Sequence, residues 1–196
     1  LNTARLLLLL ALLAAAAAGL ALLHGGGRGS PAAAYAPCLR PEALRLLSAA
    51  AERLGVSLEP LEPAAVTAAA RPPRVYIVDA ARCPVREAAE AAADVLWWGG
   101  VAVVVGTPRE VSTLFHSERK VIMPYPLPYT NATIIYVVHI VGHRWMNISG
   151  KLYNVSSPEA LWFPLSQWGA WNALRRAAQW AGIPLAPEAG TETPRR

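Results

Sequence analysis

Cysteine, lysine and phenylalanine are each nearly missing from this chain of 196 residues, which has two of each. Two cysteines without a Cys-x-x-Cys pair or a four-ligand set argue against a structural zinc site. Scarce lysine leaves the net charge of +5 to arginines. They are spread along the chain and form no basic stripe, so nucleic acid is not an expected partner. No G-x-G-x-x-G is present, no P-loop lysine, and no His-Glu-x-x-His, so no cofactor is expected. Only five residues are asparagine, and few are glutamine.

Apolar residues are plentiful. Hydrophobic side chains make up 54% of the chain, and the mean hydropathy is +0.30. Much of that excess lies in "RLLLLLALLAAAAAGLALLHGGGRGSP". From residue 6 to residue 23 no side chain is charged or strongly polar. As a helix this run would reach roughly 27 Å, near the thickness of a hydrocarbon core. It is longer than the apolar region of a cleaved signal peptide, which favours an uncleaved anchor. "AAAYA" downstream keeps a cleavage site in play. Arg5 precedes the run and Arg28, Arg40 and Arg45 follow it, so charge alone leaves its orientation open.

Orientation is suggested from the other end. Three of the five asparagines, Asn131, Asn147 and Asn154, stand in Asn-x-Ser/Thr sequons without an intervening proline. That pattern suggests a glycosylated surface segment outside the cytoplasm, although polar turn residues between strands would look similar. An outside compartment would also permit a bridge between Cys38 and Cys83.

The organisation follows from periodicity and punctuation. Residues 1–24 read as the anchor, 25–37 as a Gly/Ala/Pro linker, 38–185 as one α/β domain, and 186–196 as a disordered tail. "RPEALRLLSAAAERLG" predicts a helix with Pro41 in its first turn and Gly55 as its stop. "VSLEP" is a short strand, and 61–73 a connection with a helical turn. "RVYIVDA" and "VAVVVGT" are continuous apolar runs, as in strands buried on both faces. With "PVREAAEAAADVLWWGG" as a helix between them, they form a right-handed βαβ unit. "EVSTLF" is a short helix, "VIMPYPLPYT" a proline-broken loop, and "TIIYVVHIVG" a strand. "RWMNISGKLYNVS" is a hairpin turning near "SGK". The last helix, in "PLSQWGAWNALRRAAQWAGIP", is capped by Ser166, with Trp168, Trp171, Leu174 and Ala178 on one face. Most tryptophans are expected in the core, because so alanine-rich a domain needs large residues to fill it. Those of the last helix have a membrane surface as the other option.

"VLWWGGVAVVVGTPRE" decides between a phosphate loop and a corner. A dinucleotide loop sets its glycines after a strand and before a helix. Gly99 and Gly100 follow a helix and precede a strand. Carbonyls gather at that end and repel phosphate. The pair is therefore read as a left-handed cap and a tight strand entry.

The anchor, the "GS-P" linker, the "VYIVDA" strand and the helix ending in "WWGGVAVVVG" together resemble one known arrangement. They are similar to archaeal and bacterial membrane-anchored domains of unknown function with a class I glutamine-amidotransferase-like, flavodoxin-like fold. The resemblance covers roughly residues 28–115. It implies a three-layer α/β domain with a mainly parallel sheet, closed here by a C-terminal β-hairpin and helix. Families of this kind stand beside MoxR-type ATPases and von Willebrand-type domain proteins, which implies a role in assembling or regulating a membrane complex. Active amidotransferases need a cysteine on a glycine-flanked elbow, with a His and a Glu to activate it. Cys83 stands instead between Arg82 and Pro84, without the flanking glycines.

Other chemistry is thin. His139 and His143 are four apart, as zinc ligands on a helix can be, and an even offset would also place them on one face of a strand; His116 could join them. Incidental histidines are the plainer reading. Asp79 ends a buried strand, where α/β folds place ligands, or caps the next helix. The expectation is thus a non-catalytic, single-pass membrane protein. Its outward domain would bind a protein or glycan, or serve in membrane-complex assembly. The alternatives are a hydrolase or amidotransferase relative and a structural subunit of a cell-surface assembly.

Overall fold

The computed structural model describes residues 31–117, 127–148 and 151–187. The expected anchor, residues 25–30 of the linker and the expected tail beyond 187 lie outside the described residues, as does most of the proline-broken loop. Among the described residues no helix is long and apolar enough to cross a membrane.

The order of elements is β1 (Ala33–Tyr35), α1 (Pro41–Leu54), β2 (Leu58–Pro60), α2 (Pro63–Ala68), β3 (Val75–Asp79), α3 (Val85–Trp97), β4 (Val101–Gly106), α4 (Pro108–Ser117), β5 (Ile134–Ile148), β6 (Lys151–Pro164) and α5 (Gln167–Trp180). Residues 33–35, read from composition as linker, form β1, with Ala33 and Ala34 fully buried. Their small side chains let helices pack closely on both faces, and that closeness is invisible to a linker-composition argument. The expected tail also begins too early, because the Ala186 amide donates to the Leu54 carbonyl at 2.8 Å.

The strands lie in the order β2-β1-β3-β4-β5-β6. The first four are parallel neighbours, whereas β5 and β6 are antiparallel. The sheet is therefore mixed and mainly parallel, and its first four strands follow the flavodoxin-like order. Two hydrophobic clusters flank it. One joins α1 and α5 to Val75, Ile77, Val101, Val103, Val105, Ile135 and Val137. The other joins α2, α3 and α4 to Tyr76, Val78, Ala102, Val104, Tyr136 and Val138. Every residue of β3 and β4 is buried, which explains their unbroken apolar sequences.

The strand and hairpin predicted separately beyond residue 130 are one long hairpin. Its base pairs β5 with β4 as far as His139↔Val101, and a bulge at Val141 follows.

The tryptophans overturn an expectation. Trp97, Trp98, Trp162 and Trp168 are all exposed. On α5 the buried residues are Gly169, Ala170, Ala173, Leu174, Ala177 and Ala178, so Leu174 and Ala178 of the expected face are inside, Trp171 packs at its margin, and Trp168 is outside. The facing sheet already carries bulky valines and isoleucines. Small residues let the helix approach that surface, and the large rings turn outward.

Helix α3 ends as the corner reading required. Gly99 adopts φ +78°, its amide bonds to the Leu96 carbonyl, and the Gly100 amide bonds to the Val95 carbonyl. This pair of bonds is the Schellman arrangement.

Candidate functional site

In open α/β sheets, ligands bind beyond the carboxyl ends of the strands, where the strand order reverses. Here that point lies between β1 and β3, because α1 covers one face of the sheet and α3 the other. Asp79 is the last residue of β3, and Arg40 immediately precedes α1.

Asp79 is fully buried, yet its carboxylate accepts five hydrogen bonds. Oδ2 accepts from the Arg40 amide at 3.1 Å and from Arg40 Nε at 2.6 Å. Oδ1 accepts from Arg40 Nη2 at 2.9 Å and from the amides of Ala81 and Arg82 at 3.0 and 3.2 Å. Arg40 Nη1 donates to Thr133 Oγ1 at 3.0 Å, tying in the segment before β5. Burial alone would raise the carboxyl pKa, but the Arg40 bonds and the Ala81 amide outweigh it, and the group is held below the usual carboxylate range. Arg40 is raised above its ordinary value, chiefly by its bond to Asp79. The preference for Asp79 as a cap of α3 needs correction. The residue at that position is Pro84, and Asp79 instead closes the turn before it.

The turn after β4 is closed in the same manner. In Thr107-Pro108-Arg109-Glu110, the Glu110 carboxylate accepts the Thr107 amide at 2.7 Å, and Thr107 Oγ1 accepts the Glu110 amide at 3.3 Å. This is a capping box. A phosphate at either turn would have to displace the protein's own carboxylate from backbone amides. Among the described residues, no buried side-chain nitrogen or oxygen lacks a partner.

Cys38 and Cys83 are joined in a disulfide beside this cluster, with 5.1 Å between their Cα atoms. The Asp79 amide lies 3.4 Å from Cys83 Sγ. A sulfur in a disulfide is not a thiolate, so in this state Cys83 offers no nucleophile.

His116 and His139 lie on different elements. His116 lies on α4, its Nδ1 2.7 Å from the Ser112 carbonyl oxygen. His139 lies on the α5 side of the sheet, where it stacks on Trp180 at 4.0 Å and meets Glu159 at 3.2 Å. The bulge at Val141 breaks the alternation on which a shared face for positions 139 and 143 depended. The His143 side chain lies outside the described residues. Among the described residues no group of three potential metal ligands occurs. Of the sequons, Asn131 is exposed in a bend, and the Asn147 and Asn154 side chains lie outside the described residues.

No known family model matches the chain, and neither a curated protein nor a solved structure is similar to it. The resemblance read from the sequence therefore extends to an α/β domain with a mainly parallel six-stranded sheet, and no family is identified.

Sequence reasoning missed Arg40 as the partner of Asp79, because nothing local links positions 39 residues apart. It also missed the capping box, whose Thr-x-x-Glu signal was present. A third omission was the stripe Asn172, Arg175, Arg176 and Gln179 on α5, whose i, i+3, i+4, i+7 spacing was legible. Two clefts border α5. One, of about 340 Å³, is lined by Arg53, Gln167, Trp168 and Trp171. The other, of about 410 Å³, lies between that stripe and Leu161 and Phe163 of β6.

Proposed function

We propose that this chain is a single-pass membrane protein whose α/β domain stands outside the cytoplasm and acts by binding another protein in the assembly of a membrane complex. The observation that carries this reading is the closed carboxyl edge. Asp79 and Glu110 occupy the amides that a ligand would use, and Arg40 ties Asp79 to Thr133. Recognition then belongs to other surfaces. The disulfide supports a location outside the cytoplasm, since such bridges persist in oxidising compartments. The apolar run 6–23 supports a tether, and the three sequons support the same side.

Protease protection on intact cells, with mass spectrometry of the peptides spanning Asn131 to Asn154, tests the topology. Cleavage of the domain and glycan-bearing asparagines are expected. Unmodified peptides shielded from protease would reverse it. Turnover of any substrate that is lost in Asp79→Asn or Cys83→Ser while the fold is kept would replace the binding reading with the enzymatic one.

A further inference from the structure

The sheet ends at β6, a strand of 14 residues with no further strand on its far side among the described residues. Long open edges are templates for pairing, and proteins usually blunt them. This edge keeps apolar side chains on both faces. Leu161 and Trp162 are 38% and 45% exposed. Register places Leu161 opposite Val137 on the α5 side and Trp162 opposite Tyr136 on the other.

Beside the edge on the α5 side runs the cleft of about 410 Å³. Leu161 and Phe163 form its apolar wall, and Asn172, Arg175, Arg176 and Gln179 form the other. All four are hydrogen-bond donors. The two guanidiniums are placed by aromatic rings, Arg175 4.9 Å from the Trp171 centroid and Arg176 5.8 Å from that of Trp180. Trp180 in turn stacks on His139, which meets Glu159, two residues before Leu161 on β6.

We infer that this edge and cleft form a docking site for an extended acidic peptide segment of a partner protein, which adds to β6 as a seventh strand. Main-chain bonds to the free edge would give affinity, and carboxylates reaching Arg175 and Arg176 would give register and sign. Alternate apolar side chains of the segment would then lie on the other face, beside Trp162. The Trp171 and Trp180 rings behind this cleft already carry the guanidiniums, which favours a peptide over a glycan there. Glu159 places the peptide's acidic positions opposite 161–163 rather than at the His139 end.

This inference rests on the reading of the domain as a protein-binding module, and not on its side of the membrane. Its test uses the full chain in neutral maltoside detergent and a fluorescein-labelled decapeptide of alternating Glu and Val, followed by fluorescence anisotropy. Saturable binding is expected, at least tenfold tighter than to the Lys-Val peptide. It should weaken about tenfold or more in Arg176→Glu and fall when alternate amides along one edge of the peptide are N-methylated. A second variant, Trp162→Ser, should weaken binding independently, and an unchanged unfolding midpoint shows that either variant keeps its fold. Equal affinity for the Glu-Val and Lys-Val peptides, or for the unmethylated and methylated ones, overturns the assignment. So does an Arg176→Glu variant that folds and binds as the wild type does. Failure here with a protease-accessible domain removes the groove alone, whereas peptide binding by a shielded domain removes the outside location alone.

Discussion

Arg40, at the start of α1, clasps Asp79, at the end of β3, through paired hydrogen bonds of 2.6 and 2.9 Å from Nε and Nη2. The carboxylate is fully buried and the arginine side chain is 20% exposed. A bidentate pair in this setting fixes geometry as well as charge. It holds the reversal of strand order together at the point where related architectures leave a crevice.

The pair makes the domain acid-sensitive in a defined direction. The folded-state pKa of Asp79 lies below the usual carboxylate value, so its stabilising contribution is complete above that value and disappears as pH falls through the folded pKa. Chemical denaturation as a function of pH should show the midpoint falling from about pH 4 downward, near the unfolded carboxylate pKa. In a variant lacking both Arg40 and Asp79 this part of the fall should be absent.

Reduction of the disulfide should destabilise the domain without exposing a catalytic thiol. The bridge spans 45 positions, for which the loop-entropy argument gives about 4 kcal/mol. Urea unfolding with and without dithiothreitol measures the difference. No change on reduction would mean that the bridge does not restrain the unfolded chain.

The two glycines after α3 should differ in kind. Gly99 has φ +78° and open space around its Cα, so Gly99→Ala should cost about 1–2 kcal/mol from backbone strain alone, and Gly99→Asn less. At Gly100 a Cβ would lie 2.8 Å from both the Arg74 carbonyl oxygen and Val95 Cγ1. Gly100→Ala and Gly100→Asn should therefore both cost about 1–3 kcal/mol from crowding. Denaturant midpoints of the four variants make the comparison.

The outward tryptophans predict a contrast with the aliphatic core. Trp98 is 62% exposed and Leu47 is fully buried. Trp98→Ala should shift stability by about 0.5 kcal/mol or less, and Leu47→Ala should cost about 2–5 kcal/mol. Thermal unfolding of the two variants separates them.

Much of this arrangement was legible in the residues, for reasons that are local. Continuous valines announced β4 because both of its faces are covered. Pro41 and Gly55 bounded α1 because each has its own backbone preference. What stayed hidden was relational. β1 is mostly alanine and looked like linker, since its burial depends on helices far along the chain. The face of α5 was legible in part, with Leu174 and Ala178 inside but Trp168 outside, because helical periodicity offers several stripes and only the shape of the opposing sheet selects among them. Asp79 was visible as a residue at a strand end, but its role depended on Arg40, which no spacing rule connects to it. In the same way, α5 displayed its donor stripe in the sequence, while the open edge beside it exists only once β6 has taken the last place in the sheet.

The central claim is that the carboxyl edge is a structural closure and not a reaction centre. A double-mutant cycle of Arg40→Met and Asp79→Leu, read by urea unfolding, tests it most directly. The account predicts that each single change costs about 3–5 kcal/mol because it strands a buried charge or its donors, and that the double variant recovers about 2–3 kcal/mol of the summed loss. Single changes costing under about 1 kcal/mol and simply adding would contradict it, and would return this edge to the list of surfaces kept for function.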